Sequence, residues 1–187
     1  MPLIPDFKIG LWNAWILIVP MFITLFIGVI INKEKFEEAP VSEKEQRLFI
    51  FSNIILFSSL IYSFFLPLKL KTFWLYIGLV IYLVGIIFFI VAEINFITTP
   101  KGKVVNKGVY RISRNPMFLG GFLIFIGTGI ACISWVLPLF AVIYIIIINV
   151  VINSEEQFCL RKFGKEYKEY MNITPRWIGL TKRRIKD

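Results

Sequence analysis

Five apolar runs, at about residues 11–31, 48–66, 73–97, 117–133 and 135–152, constrain this chain more than any other feature. The first three are each roughly 20 residues long, the length of helix that crosses a hydrocarbon core about 30 Å thick. The last two are shorter. Only Ser134 separates them, Trp135 and Pro138 follow, and together they read as a tight helical hairpin that enters the bilayer and returns. The hydrophobic share of 57% lies well above the roughly 45–50% of soluble domains and agrees with this reading. The expectation is an all-α integral membrane protein of about five crossings and a single domain, with two spans in residues 1–72 and the rest in 73–187.

The net charge of +9 has to be placed before it is interpreted, because basic residues follow membrane topology as readily as nucleic acid. Four lysines and arginines fall in the first loop, five in the third and nine after the last run. Only Lys8, Lys69 and Lys71 fall on the other side. Positive charge collects on the cytoplasmic face, which puts the N-terminus outside and loops one and three with the C-terminal segment inside. Nucleic acid is therefore not needed to explain the charge, and the basic tail (Lys182, Arg183, Arg184, Lys186) reads as a solvated end that sets topology and touches anionic lipid.

The first run carries no small-residue cleavage site after it and reads as a retained span. Cys132 and Cys159 fall on opposite sides of the membrane and show no metal-ligand spacing. The chain has no histidine, which excludes a histidine-based hydrolase and a histidine-ligated metal centre. KEKFEEAPVSEKEQR reads as a solvated linker, and the small residues of GGFLIFIGTGI as a close helix contact rather than a phosphate loop. Glu93 and Asn95 sit at the cytoplasmic end of the third run. A carboxylate within a span is expensive and marks a functional site or a hydrated, lysine-paired end. Apolar and aromatic residues at 160, 163, 167, 170 and 171 follow helical spacing around Gly164, predicting a C-terminal amphipathic helix that lies on the surface or folds back as a lid. Asn153 and Ser154 read either as a cap before the acidic pair Glu155 and Glu156 or as continuation of the fifth helix.

Because a hairpin returns the chain to its starting face, KGKVVNKGVYRISRNPMF before it and NSEEQF with FGKEYKEY and TPRW after it converge on one cytoplasmic surface. Tyr110, Phe118, Tyr167 and Tyr170 would wall a pocket there, with carboxylates from Glu155 and Glu156 and guanidiniums from Arg111, Arg114 and Arg176. Such a pocket suits a ligand of mixed charge.

These residues resemble the isoprenylcysteine carboxyl methyltransferase and phospholipid methyltransferase superfamily of integral membrane enzymes. The carriers are Val104-Val105, Gly108-Val109-Tyr110, the block Arg114-Asn115-Pro116-Met117-Phe118-Leu119-Gly120, Glu155-Glu156, Phe163-Gly164-Lys165-Glu166-Tyr167 and Pro175-Arg176, together covering about residues 92–180. The resemblance implies methyl transfer from S-adenosylmethionine, bound at the cytosolic face, to a lipophilic acceptor that arrives from the bilayer. It implies a cofactor site of Gly102, Lys103, Val104, Val105, Tyr110, Asn115, Pro116, Met117, Phe118 and Glu155. Arg114, Glu156 and Arg176 are the expected catalytic group, and Glu93, Asn95, Tyr167 and Tyr170 the expected contacts of the acceptor. The chain departs from the pattern twice: Asn115 stands at the motif histidine, and Val151 stands where the prenylcysteine enzymes carry an arginine one turn before the glutamate pair. The acceptor thus stays open among a prenylcysteine-type carboxylate, a phospholipid amine and a thiol. Two other readings stand beside it, a reductase-like relative using NADPH and a non-enzymatic membrane scaffold or transport subunit. The oligomeric state is open.

Overall fold

The computed structural model describes residues 7–31 and 42–179; the basic tail and residues 32–41 of the first loop, with Lys33, Lys35 and Pro40, lie outside the described residues. The described chain forms α1 (Trp15–Ile31), α2 (Glu43–Ser63), α3 (Phe73–Ile97), a short 3-10 helix (Gly108–Arg111), α4 (Pro116–Ala131), α5 (Val136–Phe163) and α6 (Lys165–Ile173). Among the described residues the only extended pairing is one isolated bridge between Asn13 and Pro67. Helices α2, α3 and α5, of 21, 25 and 28 residues, are long and apolar enough to cross a membrane, and α1 and α4 are shorter apolar helices. Large side chains such as Phe26, Leu83, Ile87 and Ile146 stand more than half exposed on their outer faces, as expected of a surface solvated by lipid tails.

The helices run alternately up and down, and hydrogen bonds fasten both ends. At one end Asn13 is almost fully buried and donates its amide to the carbonyls of Lys8 and Phe64, both at 2.6 Å. Ala14 N donates to Leu66 O at 2.8 Å, Lys69 N to Ala131 O at 3.3 Å, and the hydroxyls of Tyr62 and Ser134 meet at 3.2 Å. At the other end the Ser154 hydroxyl donates to Glu45, joining α5 to α2, and Gly28 of α1 lies against the Glu93 carboxyl of α3. That second end also carries the 3-10 helix and α6.

Several boundaries differ from the apolar runs, each for an identifiable reason. Helix α1 starts at Trp15 instead of 11 because Asn13 holds the preceding segment against residues 64–68. Helix α2 starts five residues before its apolar run. Ser42 and Glu45 form a capping box there, with the Ser42 oxygen accepting from Glu45 N at 3.4 Å and the Glu45 carboxylate accepting from Ser42 N at 2.8 Å. The hairpin turn is Cys132–Trp135, and both cysteines are free. Helix α5 continues through Asn153 and Ser154, so neither residue is a cap. The expected single amphipathic helix is broken at Gly164, whose φ of 54° and ψ of −120° no ordinary side chain adopts cheaply, so the apolar face is shared by the end of α5 and by α6.

The tightest packing is between α3 and α4. A Cβ on Gly127 would lie 2.5 Å from Tyr82 N, one on Gly78 2.4 Å from Ala131 N, and one on Gly120 2.8 Å from Phe89 N. The two backbones touch along a seam of small residues, which in lipid replaces the hydrophobic effect as the source of helix association. Adding one methyl there forces the helices apart at a cost of about 1–3 kcal/mol. Gly127→Ala is therefore expected to lower the melting temperature in detergent by about 4 °C or more, whereas Gly121→Ala, whose nearest neighbour would be Met21 Sδ at 3.8 Å, is expected to leave it unchanged. Equal melting of the two variants would show that the seam is not close-packed.

Candidate functional site

The site end is organised by the turn Ser113-Arg114-Asn115-Pro116. Pro116 takes the first position of α4, where a missing N–H breaks no helical bond, and it forces the residue before it out of helical geometry. Asn115 accordingly has φ −123° and ψ 54°, and the Ser113 hydroxyl accepts from Asn115 N at 3.0 Å. This bend turns Arg114 back toward α5 and toward the segment that follows α6.

There the Glu156 carboxylate lies between two guanidiniums. Arg114 donates from Nε at 3.0 Å and Nη2 at 2.8 Å to Glu156 Oε1. Arg176 donates from Nε to the same oxygen at 3.2 Å and from Nη2 to Oε2. The Arg114 side chain also donates from Nη1 to the carbonyls of Met171 (3.0 Å) and Thr174 (2.9 Å), the last carbonyls around the end of α6. Backbone bonds complete the fastening, because Arg114 N donates to Pro175 O at 2.9 Å while Ser113 Oγ and Asn115 Nδ2 both donate to Arg176 O at 3.1 Å. The three expected catalytic residues thus meet, and residues 171–176 are strapped across the start of α4. Side-chain exposure is 10% for Arg114, 6% for Glu156 and 30% for Arg176, so only Arg176 reaches substantial solvent.

The expected cofactor residues are spread over this end in two environments. Val104 is buried against Tyr167 and Tyr170 of α6, with Leu160, Phe163 and Met171 packed around them, and Tyr170 donates its hydroxyl to Tyr110 O at 2.7 Å. Burial pushes the hydroxyls of Tyr110, Tyr167 and Tyr170 well above their ordinary range, so all three are neutral donors at physiological pH. Gly102 and Lys103 are exposed, and Gly102 has a φ of 77° with open space around it. Met117 packs into the main core, while Phe118 packs with Tyr144, the ring centroids 6.3 Å apart, into a second cluster on α5 that also includes Trp177. A small apolar pocket with room for about one water is lined by Ile55, Leu56, Ser59, Phe125, Phe140 and Tyr144 between α2, α4 and α5.

Glu155 is displaced about 100° around α5 from Glu156. It is exposed, forms no ion pair among the described residues, and lies within electrostatic reach of Tyr110 and Tyr144. Of the expected acceptor contacts, Glu93 is buried and bonds the Thr24 hydroxyl and Gly28 backbone of α1. Asn95 has a different standing. Its Nδ2 is buried with no hydrogen-bond partner among the described residues, directly beneath Gly108, where a Cβ would lie 2.1 Å away. An unsatisfied buried donor of this kind costs about 1–3 kcal/mol and calls for an acceptor.

Sequence reasoning missed Ser113, Thr174 and Trp177. Ser-x-Asn-Pro is a turn signal with a hydroxyl placed to bond two residues on, and it pointed to Ser113. Nothing local marks Thr174 and Trp177, whose roles depend on a chain reversal.

The sequence model of the phospholipid methyltransferase family matches residues 66–166. No curated protein matches the chain. The matched stretch runs from the end of α2 into α6 and contains Asn95, Gly108, Tyr110, Arg114 and both glutamates of α5.

Removing one partner from a buried charge cluster leaves the rest uncompensated, at about 3–5 kcal/mol. Glu156→Leu is expected to lower the melting temperature by on the order of 10 °C, and Arg114→Met in the same chain to restore part of that loss. An unchanged melt in Glu156→Leu would show that the carboxylate does not hold the strap.

Proposed function

Because the chain belongs to the phospholipid methyltransferase family, we propose that it transfers a methyl group from S-adenosylmethionine to a lipophilic, membrane-delivered acceptor at the cytosolic face. The observation that carries the reading is the family match over the stretch whose folding brings together an orphaned donor, a free carboxylate and a neutral tyrosine: Asn95 Nδ2, Glu155 and Tyr110. The distribution of lysine and arginine along the chain supports the cytosolic side of the membrane.

The residues fit the group that the family implies. S-adenosylmethionine carries an ammonium and ribose hydroxyls that need a carboxylate, and acceptor atoms on its adenine, ribose and carboxylate that need donors. Glu155 offers the carboxylate without first breaking an ion pair. Asn95 offers the donor, already desolvated, and the bare backbone of Gly108 lets the loop carrying Tyr110 close over it. Tyr144, which packs with Phe118, lies within electrostatic reach of Glu155, and its ring suits a cationic neighbour.

When bound, the cofactor supplies an electrophilic methyl group on a sulfonium sulfur, which an acceptor displaces directly. The chain then needs no covalent nucleophile. Its tasks are to align the acceptor within about 3–3.5 Å of the methyl and to keep water out. Val104, Tyr167 and Tyr170 are the packed lid that excludes water on the polar side. On the other side the lipid-exposed apolar faces of the helices give the acceptor's tail an approach. Glu156 and Arg114 act by holding the start of α4 and the strap in register.

Titration of the detergent-purified chain with S-adenosylhomocysteine tests the reading, with an NADPH titration beside it. Micromolar to millimolar binding of the former alone is expected. Glu155→Gln and Asn95→Ala should each weaken it by about tenfold, the size of one lost hydrogen bond to a charged or buried partner. Lys168→Ala, on the exposed face of α6, should leave it unchanged. No binding at millimolar concentration, or equal losses in all three variants, would overturn the proposal.

A further inference from the structure

In a bilayer the helix that shows most of its surface to lipid is expected to be the most apolar, because a polar group on that surface loses water and gains no partner. Helix α2 inverts this order. Of the three long spans it is the least buried, 17% of its apolar window against 39% for α3 and 28% for α5, and it is also the least apolar. Part of its polarity is turned inward and satisfied. Ser52, Ser59 and Ser63 are buried, and their hydroxyls donate to the carbonyls three residues back at 2.7, 2.6 and 2.6 Å. Asn53 is turned the other way. It is partly exposed, on the face that carries Ile50, Phe57 and Ile61, each more than half exposed. Positions 50, 53, 57 and 61 keep the spacing of one helix face.

The apolar run of α2 begins at about residue 48, so Asn53 sits about 7.5 Å inside the hydrocarbon at the rise of an α-helix. A primary amide has two N–H donors and one acceptor oxygen. Asn53 Nδ2 donates one hydrogen to Phe49 O at 2.9 Å, whereas its second N–H and Oδ1 have no partner among the described residues. Lipid tails offer neither a donor nor an acceptor. One spare donor beside one spare acceptor is self-complementary: two such amides face to face close two reciprocal N–H···O bonds and leave nothing over. An unrelated partner would need a donor and an acceptor at that depth, and a second copy of this chain has both there already. A two-fold axis along the membrane normal sets α2 beside α2 at equal depth, so that residue 53 meets residue 53.

We propose that this face of α2 is the interface of a homodimer in the membrane, in which two copies meet along Ile50, Asn53, Phe57 and Ile61 and the two Asn53 amides hydrogen-bond to each other. The apolar side chains supply the packing and the amide pair fixes the register. Helix α1 borders the interface, since Phe57 lies against Phe22 with ring centroids 5.8 Å apart. The opposite face of α2, with Ile55 and Ser59, looks toward α4 and α5. Pairing therefore leaves the site elements uncovered. The inference stands independently of the methyltransferase reading.

Fluorescence energy transfer between full chains labelled at the N-terminus with donor or acceptor, in phosphatidylcholine liposomes over a range of protein-to-lipid ratios, tests this. The wild-type chain should show a saturable monomer–dimer equilibrium. Asn53→Leu should weaken it about tenfold, the size of a pair of hydrogen bonds inside a membrane, whereas Asn53→Gln, which keeps the amide, should retain most of it. Diluted to monomers, Asn53→Leu should melt no lower than the wild type, so lost transfer is not lost folding. Cross-linking places the interface. In a chain carrying Cys132→Ala and Cys159→Ala, mild oxidation should link Ile50→Cys into a dimer and leave Leu83→Cys, an equally exposed position of α3, as monomer. A wild-type chain that stays monomeric at every density overturns the proposal. So does an unchanged equilibrium in Asn53→Leu, or equal linking at positions 50 and 83; lipid or a different chain then covers α2.

Discussion

The site end of the molecule depends on one buried carboxylate. Glu156 is presented by α5 about one full crossing length from the start of the helix, and it draws in a guanidinium from the turn before α4 and another from beyond α6. In a poorly solvated setting each of these contacts is stronger than at an open surface, and each stray charge is more costly. The rest follows in sequence. Arg114, held by Glu156, caps the carbonyls at the end of α6. With α6 held, Tyr167 and Tyr170 cover Val104 and the Tyr110 carbonyl. With the strap held, Trp177 seats on α5.

This charge-built end is carried by a helix pair built on different physics. The α3–α4 seam places backbone against backbone and leaves little freedom for the two helices to slide. The start of α4 is therefore held against α3 by backbone packing, independently of the polar contacts. The elements that do rely on polar contacts are α5, α6 and the strap, together with α2 through the Glu45–Ser154 contact. The molecule thus joins a close-packed helix pair to a half fastened by a few polar and charged bonds.

Much of the fold was legible because lipid makes a blunt demand. An apolar run of the right length must be a helix, so residues 73–97 coincide with α3, and the hairpin follows from Ser134 and Pro138. The start of α1 moved through a single side chain with a long-range partner, Asn13 bonding Phe64, which no periodicity reports. The capping box at Ser42 was visible as Ser-x-x-Glu but was hidden inside a stretch read as a linker. In the site, the convergence of the two polar stretches was legible from topology alone. The division of labour between Arg114 and Arg176 was not, because it depends on which donors the backbone carbonyls of residues 171 and 174 consume.

The same contacts account for the asparagine that stands where the superfamily pattern has histidine. Asn115 Nδ2 donates to the carbonyl of Arg176 in parallel with Ser113, and its backbone conformation is set by Pro116. Both tasks need a short side chain with a fixed N–H donor. Neither needs a group that gains or loses a proton near neutral pH. An amide donates whatever the pH, whereas an imidazole would add a positive charge as it titrated, beside a cluster that already holds a surplus one. Asparagine is therefore compatible with a site in which this position orients the strap without itself adding a charge.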